Sequence, residues 1–518
     1  MKRIGRERQP RALTLVVLGT GRVALLAGTL TAALLGACKT TGPGDAISPS
    51  AGGSGSGEGG SVGTGGAGRG GSSSASGGNV ATDGAAGGGT GGGDPSGTGG
   101  ANPIPPDGGG DLGAGGGGGA GTGGSPGTGG TPATGYRFGS RPLTYPAGSI
   151  RPAGGQPALD AAVTSAYDKW KAAYVTPGCG GFVVKTAHGE PGEMTGSAAI
   201  GRGMIFAAML AGHDADAQKL FDGLYTVARM KPSRYRGNEA LISYTVRAGC
   251  ATTADDGSTF EGDADFSFAL LLADKQWGSA GTIKYLDEAK KTIAAMKKLE
   301  MNPALHLPLS GDWASLPGEA EKGWFTDTKS ANFMLGHFRA FAKGAADPFW
   351  METVVALQKL IDSTQTMYSP MAGFLPEYLD ESKPAKVGYA IATDRAHAGE
   401  FGGNAGTAVL RLAADYVVSG DAATKAEFTK ITEAIKKTTG GDPSKIVDGY
   451  LLAGTAFGTK GTAMFIAPMG AAASFDAANQ AWLDALWKAM AGAAAVDSET
   501  DSTNLLGMLI ASGNWWAP

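Results

Sequence analysis

Cysteine is nearly absent: the chain has three in 518 residues, with five histidines. A disulfide-dense scaffold is therefore excluded, and neither residue type falls in a metal-ligand spacing. His188, His213, His306, His337 and His397 are scattered and read as structural. Positive charge is not in excess either. Lys and Arg number 43 against 47 Asp and Glu, a formal net charge of −4, which argues against nucleic acid or an anionic surface as partner. No glycine-rich phosphate loop sits between a strand and a helix, and no cofactor is expected. Convincing runs of alternating, strand-like hydropathy are missing as well.

What the chain has in abundance is glycine, 89 residues, concentrated between Cys38 and Gly135 in a tract of Gly, Ser, Thr, Ala and Pro. Such a tract buries too little apolar surface to offset chain entropy, so 38–135 is expected to be a disordered linker. Glycine does not recur at every third position, which excludes collagen. Ahead of it, Met1 to Arg11 is basic and Leu13 to Leu35 mostly apolar, ending in Leu35-Gly36-Ala37-Cys38. A run of this length suits either a membrane-spanning anchor or a signal peptide. The break at Gly19-Thr20-Gly21-Arg22 and the small residues before Cys38 favour the signal reading. The segment resembles the lipobox of bacterial lipoproteins, in which the peptide (here 1–37) is removed and the cysteine (here Cys38) is lipidated. The expectation is an exported protein anchored by lipid to the cell envelope. Lys39 follows the cysteine, where an aspartate would mark inner-membrane retention, so the outer membrane or cell surface is expected. Export permits a disulfide, and Cys179 and Cys250 either pair or serve as buried apolar residues.

The remaining 136–518 is one globular region of about 380 residues. From Pro157 onward its apolar spacing is helical. Leu159, Val163, Ala166 and Trp170 share a face, as do Leu286, Ala289, Ile293 and Met296. So do Trp350, Val354, Leu357 and Ile361, then Phe428, Ile431 and Ile435, then Trp482, Leu486 and Met490. Breakers separate these segments, among them Thr176-Pro177-Gly178, Ser310-Gly311-Asp312 and Gly440-Gly441-Asp442. The pattern predicts an all-α domain of helical hairpins ringed into a barrel, with a site at one end. The most informative stretch runs from Glu261 to Trp277. Glu261, Asp263 and Asp265 alternate on a glycine-containing turn, and the strongly apolar segment that follows reads as a buried helix whose first turn carries these acids. Like charges so crowded are costly unless a sugar or cation meets them, although a helix start also favours acids.

These residues resemble glycoside hydrolase family 8. The best segment is Glu261 to Gly278, with Leu-Leu-Leu-Ala followed by Asp-Lys-Gln-Trp-Gly. Supporting pieces follow in order: Lys219 to Tyr225, Ser310-Gly311-Asp312-Trp313, His337-Phe338-Arg339, Gly373 to Glu377, and Ala414-Asp415-Tyr416 through Asp421. The resemblance covers most of Pro157 to about Met490. It implies an (α/α)6 barrel that cleaves β-1,4-glucans, mixed-linkage glucans, chitosan or xylan with inversion. A polysaccharide substrate, no metal and a monomer are the accompanying expectations.

Inversion needs a protonated carboxyl for the leaving oxygen and a carboxylate that activates water from the opposite face, about 6.5–9.5 Å away. The resemblance implies a glutamate donor in a Ser-Glu-Gly-like turn, yet the matching stretch is Ser197-Ala198-Ala199-Ile200-Gly201-Arg202. Ala198 stands at the acid position, so Glu193 is the candidate donor. The family's aspartate base falls on Asn404, and a branch with asparagine there draws its base from an inserted loop. Asp394 is the candidate for that role, with Glu400 as substitute. Asp263 is expected against the sugar at the point of cleavage. Glu261, Asp265, Asn404, Glu400 and Trp313 are expected to bind substrate. Lys329-Ser330-Ala331-Asn332 departs from the family's Arg-x-Ser-Asp pattern. Two functions follow. One is an endo-acting, inverting β-1,4-glucan hydrolase (on cellulose, lichenan or chitosan), and the other a carbohydrate-binding surface protein of the same fold with little turnover.

Overall fold

The computed structural model describes residues 135–186, 192–235, 240–253 and 256–518. The segment 1–37, Cys38, the linker as far as Thr134, and His188 lie outside them. In chain order the helices are α1 (Gln156–Tyr174), α2 (Ser197–Met209), α3 (Ala217–Met230), α4 (Phe260–Trp277), α5 (Tyr285–Leu299), α6 (Leu335–Ala345), α7 (Phe349–Tyr368), α8 (Gly403–Ser419), α9 (Ala422–Thr439), α10 (Ala463–Ala473), α11 (Gln480–Ala491) and α12 (Ser498–Ala511).

Even-numbered helices form the inner ring: α2 packs on α4, α4 on α6, and so on to α12, which returns to α2. α3, α5, α7, α9 and α11 each pack outside the inner helix that precedes them, and α1 packs outside α12, giving six helix pairs, an (α/α)6 barrel. The apolar patterns explain the division. Helices α2, α8 and α12 are buried on nearly every side, whereas α5 and α9 bury a single stripe (Ala289, Ile293 and Met296; Phe428, Ile431 and Ile435) and leave their lysines outside. Trp350, Val354, Leu357 and Ile361 line the buried face of α7 as their spacing predicts. Trp277, at the end of α4, packs edge-on against Phe221 and at a tilt against Tyr285 at a half-buried site.

Close packing of α2 on α4 depends on Gly201: a Cβ there would stand 2.8 Å from the Cβ of Asp265 and 2.9 Å from the backbone nitrogen of Phe266. Short strands decorate the loops. β1 (Val175–Gly178) pairs with β2 (Gly181–Val184), and β3 (Glu193–Gly196) with β4 (Thr245–Arg247). β5 (Met301–Asn302) pairs with β6 (Leu307–Pro308), and β7 (Thr328–Lys329), β8 (Tyr378–Asp380) and β9 (Lys383–Pro384) form a three-stranded sheet. Cys179 and Cys250 are joined in a disulfide, tying the β1–β2 turn to the residues just past β4. No helix among the described residues is long and apolar enough to cross a membrane.

Candidate active site

The three acids of the Glu261 stretch lie in the first turns of α4, which begins at Phe260. At 100° per residue, Glu261 and Asp265 share a face and Asp263 points about 200° away from Glu261. Their fates differ accordingly. Glu261 faces a cavity of about 200 Å³. Asp265 lies one turn deeper with 0% exposure, bonded to Arg411 at 2.6 Å and His337 at 2.9 Å, with Arg202 at 3.8 Å. Burial works against its charge, but Arg411 and His337 outweigh burial and hold it well below the usual carboxylate range. Asp263, also 0% exposed, turns away from the cavity and accepts the Ile242 N–H at 3.0 Å beside Glu300 and Asp312. Burial, reinforced by Asp312, pushes it well above the usual range.

The expectation that Asp263 meets the sugar is therefore corrected, because its carboxyl has no surface for a ligand. Asp265 is likewise corrected from substrate contact to internal counter-ion. Glu261 is the acid of this stretch that reaches the cavity.

That cavity sits where α2, α4 and α12 begin. Glu193 from β3, Ser197, Ala198 and Arg202 from α2, and Glu499 from α12 line it with Glu261. Gly262 brings the two inner helices together here, since a Cβ would lie 2.1 Å from Ser197 Oγ. Ala198 thus presents a methyl group to a wall that also carries three carboxyls. Glu193 accepts a bond from Thr186 Oγ1 at 2.6 Å. Arg202 is buried between Asp265 and Glu499, the latter at 3.7 Å. Glu261 pairs with Lys329 of β7 at 3.0 Å. Burial would raise its pKa, but Lys329 and then Arg202 lower it below the usual range.

A second cavity, of about 370 Å³, lies at the start of α8. Glu377, Asp394, His397, Gly402, Asp448 and Phe457 contribute to its lining. Glu377 accepts the Asn404 N–H at 3.1 Å, and Gly402 makes room for it, because a Cβ there would stand 2.5 Å from Glu377 Oε1. Burial raises the pKa of Glu377, with Asp394 adding to the effect and Lys329 opposing it. Lys329 therefore acts on carboxyls of both cavities. Asp394 is exposed and bonded to His397 Nδ1 at 2.7 Å, the main cause of its lowered pKa.

Glu193 and Glu261 thus share one cavity, and Asp394 lines the next. Glu400 lines neither, its carboxylate accepting the Leu452 N–H. The backbone of Asn404 serves Glu377 and its side chain bonds Tyr378. Trp313 is half-buried, edge-on to Trp324 with centroids 6.1 Å apart, and Trp324 meets Tyr389 at 5.4 Å. Glu499, Glu377 and His397 are site residues the sequence reading did not single out. Glu377 stood in a segment valued only for its order in the chain, and Glu499 lies beyond the stretch that carried the resemblance. Among the described residues, no three His, Cys, Asp or Glu side chains are placed to hold a metal ion. Chemically, the two cavities offer carboxyls in contrasting settings: ion-paired Glu261, exposed Asp394 and Glu377, whose pKa burial raises.

Residues 156–512 match the model of glycosyl hydrolases family 8. A beta-glucanase of Niallia circulans is 34% identical over 380 residues, spanning 72% of this chain and 90% of that protein. An endoglucanase of Bacillus sp. (strain KSM-330) is 33% identical over 380 residues, 70% of this chain and 78% of its own. The apo structure of a beta-1,3-1,4-glucanase from Paenibacillus sp. X4 superposes with a TM-score of 0.69 at 33% identity, covering 75% of this chain and 100% of that one. With the barrel, its carboxyl-lined end and these relatives in agreement, the chain belongs to glycosyl hydrolases family 8 and is a glycosidase that hydrolyses O-glycosyl bonds.

Proposed function

We propose that this protein is an exported, lipid-anchored, endo-acting hydrolase that cleaves β-1,4-linked glucan with inversion. The observation that carries the proposal is the pair of adjacent carboxyl-lined cavities at the N-terminal end of the inner helices. The substrate class follows from relatives that are a beta-glucanase, an endoglucanase and a beta-1,3-1,4-glucanase. Lichenan and cellulose are the first substrates to test and chitosan the third. In this reading Glu193 donates a proton to the glycosidic oxygen as the bond to the anomeric carbon breaks. Water attacks that carbon from the opposite face while Asp394 takes its proton. Glu261 takes the sugar-holding role first given to Asp263. Cys38 carries the lipid and 38–135 is the tether. The Cys179–Cys250 disulfide supports export, since such bonds persist in oxidising compartments.

A second reading rests on Ala198: a cavity wall with a methyl group at the expected donor position suits a carbohydrate-binding protein with little turnover. The deciding experiment assays the purified full chain on carboxymethyl cellulose, lichenan and chitosan, beside Glu193→Gln and Asp394→Asn. Each substitution is expected to lower kcat by about 10²- to 10⁴-fold, with the α-anomer released first by the parent. Turnover unchanged by both substitutions overturns the assigned roles. Binding without turnover by the parent establishes the second reading. A Cys38→Ser chain that still fractionates with membranes removes the anchor from the proposal.

A further inference from the structure

Outside the carboxyls themselves, the second cavity holds an arrangement that the hydrolytic reading does not use. Residues 394–397 form a tight turn in which Asp394 Oδ1 accepts the Ala396 N–H at 3.0 Å and Oδ2 meets His397 Nδ1 at 2.7 Å. An ionised carboxylate only accepts, so Nδ1 carries the hydrogen. The far face of the imidazole lies flat on Phe457, with centroids 3.9 Å apart and planes 14° from parallel.

Phe457 is itself immobilised. A Cβ on Gly449 would stand 2.3 Å from the Phe457 ring, so the ring packs directly on that glycine's backbone. The hairpin carrying both is closed by Asp448, whose carboxylate accepts the N–H and hydroxyl of Thr459. The turn is docked as well: Phe401 and Tyr450 exchange backbone bonds at 2.9 and 3.0 Å, and Glu400 N–H reaches His397 O at 2.8 Å. A chain of contacts thus runs from Gly449 through Phe457 and His397 to an otherwise exposed aspartate. An exposed turn needs no such support to remain folded. A carboxylate that must be held in one orientation within a cavity does.

We propose that His397, seated on Phe457, is a positioning residue that fixes Asp394 as the water-activating base. The inference rests on the assignment of Asp394 made above. The charged and titratable groups around Asp394 are His397 and Arg395 on its own turn, Glu377 ahead of β8 and Asp448 on the facing hairpin. Arg395 is engaged with Ala390 O at 3.0 Å. Asp394 and Glu377 repel one another, and the His397 bond lowers the pKa of Asp394. A base whose pKa is lowered stays competent at lower pH, so His397 extends activity on the acid side.

Two variants separate the parts of the device. His397→Phe keeps an aromatic ring on Phe457 and removes the donor. His397→Asn places an amide N–H where Nδ1 stood and gives up the stack. The test measures kcat and KM of the full chain on lichenan against pH for both variants, the parent and Asp394→Asn. His397→Phe is expected to lower kcat by up to about 10²-fold with little change in KM, and to move the acid limb of kcat/KM upward. His397→Asn is expected to return the limb toward the parent. An acid limb unmoved in a folded His397→Phe, while Asp394→Asn abolishes turnover, overturns this inference and leaves the base in place. Parent-like turnover by Asp394→Asn overturns the base assignment, and with it any role for His397.

Discussion

Replacing Asp265 with asparagine should unfold the barrel at lower temperature rather than disable its chemistry selectively. Asp265 sits on α4 among Arg202 of α2, His337 of α6 and Arg411 of α8, so one carboxylate ties four inner helices. All four side chains are at least 95% buried. Taking away the charge leaves Arg411 and Arg202 without their buried counter-ion, which costs about 3–5 kcal/mol. An unfolding entropy of roughly 2.1 cal/mol/K per residue over about 380 residues is ~0.8 kcal/mol/K, so Tm should fall by about 4–6 °C. The sign with pH is fixed by the lowered pKa. The parent's advantage is fully present above the unfolded carboxyl range, about pH 4, and is lost as pH falls through the folded value. The gap between parent and Asp265→Asn should therefore narrow in acid. Differential scanning calorimetry at neutral and acid pH reads both effects, and turnover at 25 °C by the folded variant completes the assay. A variant that melts within about 1 °C of the parent yet loses turnover would refute the counter-ion argument and return Asp265 to the site.

Two further outcomes concern groups outside the lining of the two cavities. Burial pushes the Glu427 carboxyl up to about 8, and Asp421 and Asp415 add to the effect. The folded chain therefore keeps a proton that the unfolded chain releases above the ordinary value of 4.5. Stability from this group falls as pH rises from there to about 8, by up to about 1.4 kcal/mol per pH unit. Glu427→Gln should flatten that slope in urea titrations between about pH 5 and 8, and an unaltered slope contradicts the assignment. The Cys179–Cys250 bond closes a separation of 71 residues, worth about 4 kcal/mol by chain entropy and so about 5 °C in Tm. Melting with and without reductant checks it, and identical curves would show the bond to be dispensable.

Helical spacing carried the architecture in the sequence. The stripes on α5, α7 and α9 recur at three and four positions, and those residues are buried except Leu286, which is half-buried. Periodicity failed at one place and did so instructively. Glu261, Asp263 and Asp265 look alike as acids at the head of a helix, but along α4 the middle residue rotates to the far side. Starting the helix one residue ahead of Glu261 exchanges the roles of Glu261 and Asp263. The cavity composition was less legible, because its walls join positions as distant as Ser197 and Glu499. Nothing local marks Glu499 as more than an acid in the first turn of a helix. The His397–Asp394 pair is only three residues apart, yet its significance depends on Phe457 and on Gly449 beneath it. No spacing rule encodes that contact.

Charge at the inner-helix starts bears on which carboxyl carries the proton. α2, α4 and α12 all begin at the first cavity, so their partial positive ends favour anions there. Glu261 rides on one of these starts, and Lys329 with Arg202 lowers its pKa against the penalty of burial. A group held ionised accepts hydrogen bonds from sugar hydroxyls well and donates a proton poorly. Glu499 stands on another start with Arg202 3.7 Å away. Of the three carboxyls lining this cavity, Glu193 alone is carried by a strand, with a hydroxyl donating to its Oε1. That strand is paired to β4, whose far end leads into the disulfide. The proposed donor role of Glu193 rests on this contrast among the three. Glu261→Gln should then raise KM more than it lowers kcat, while Glu193→Gln should lower kcat most. The reverse pattern would exchange their roles.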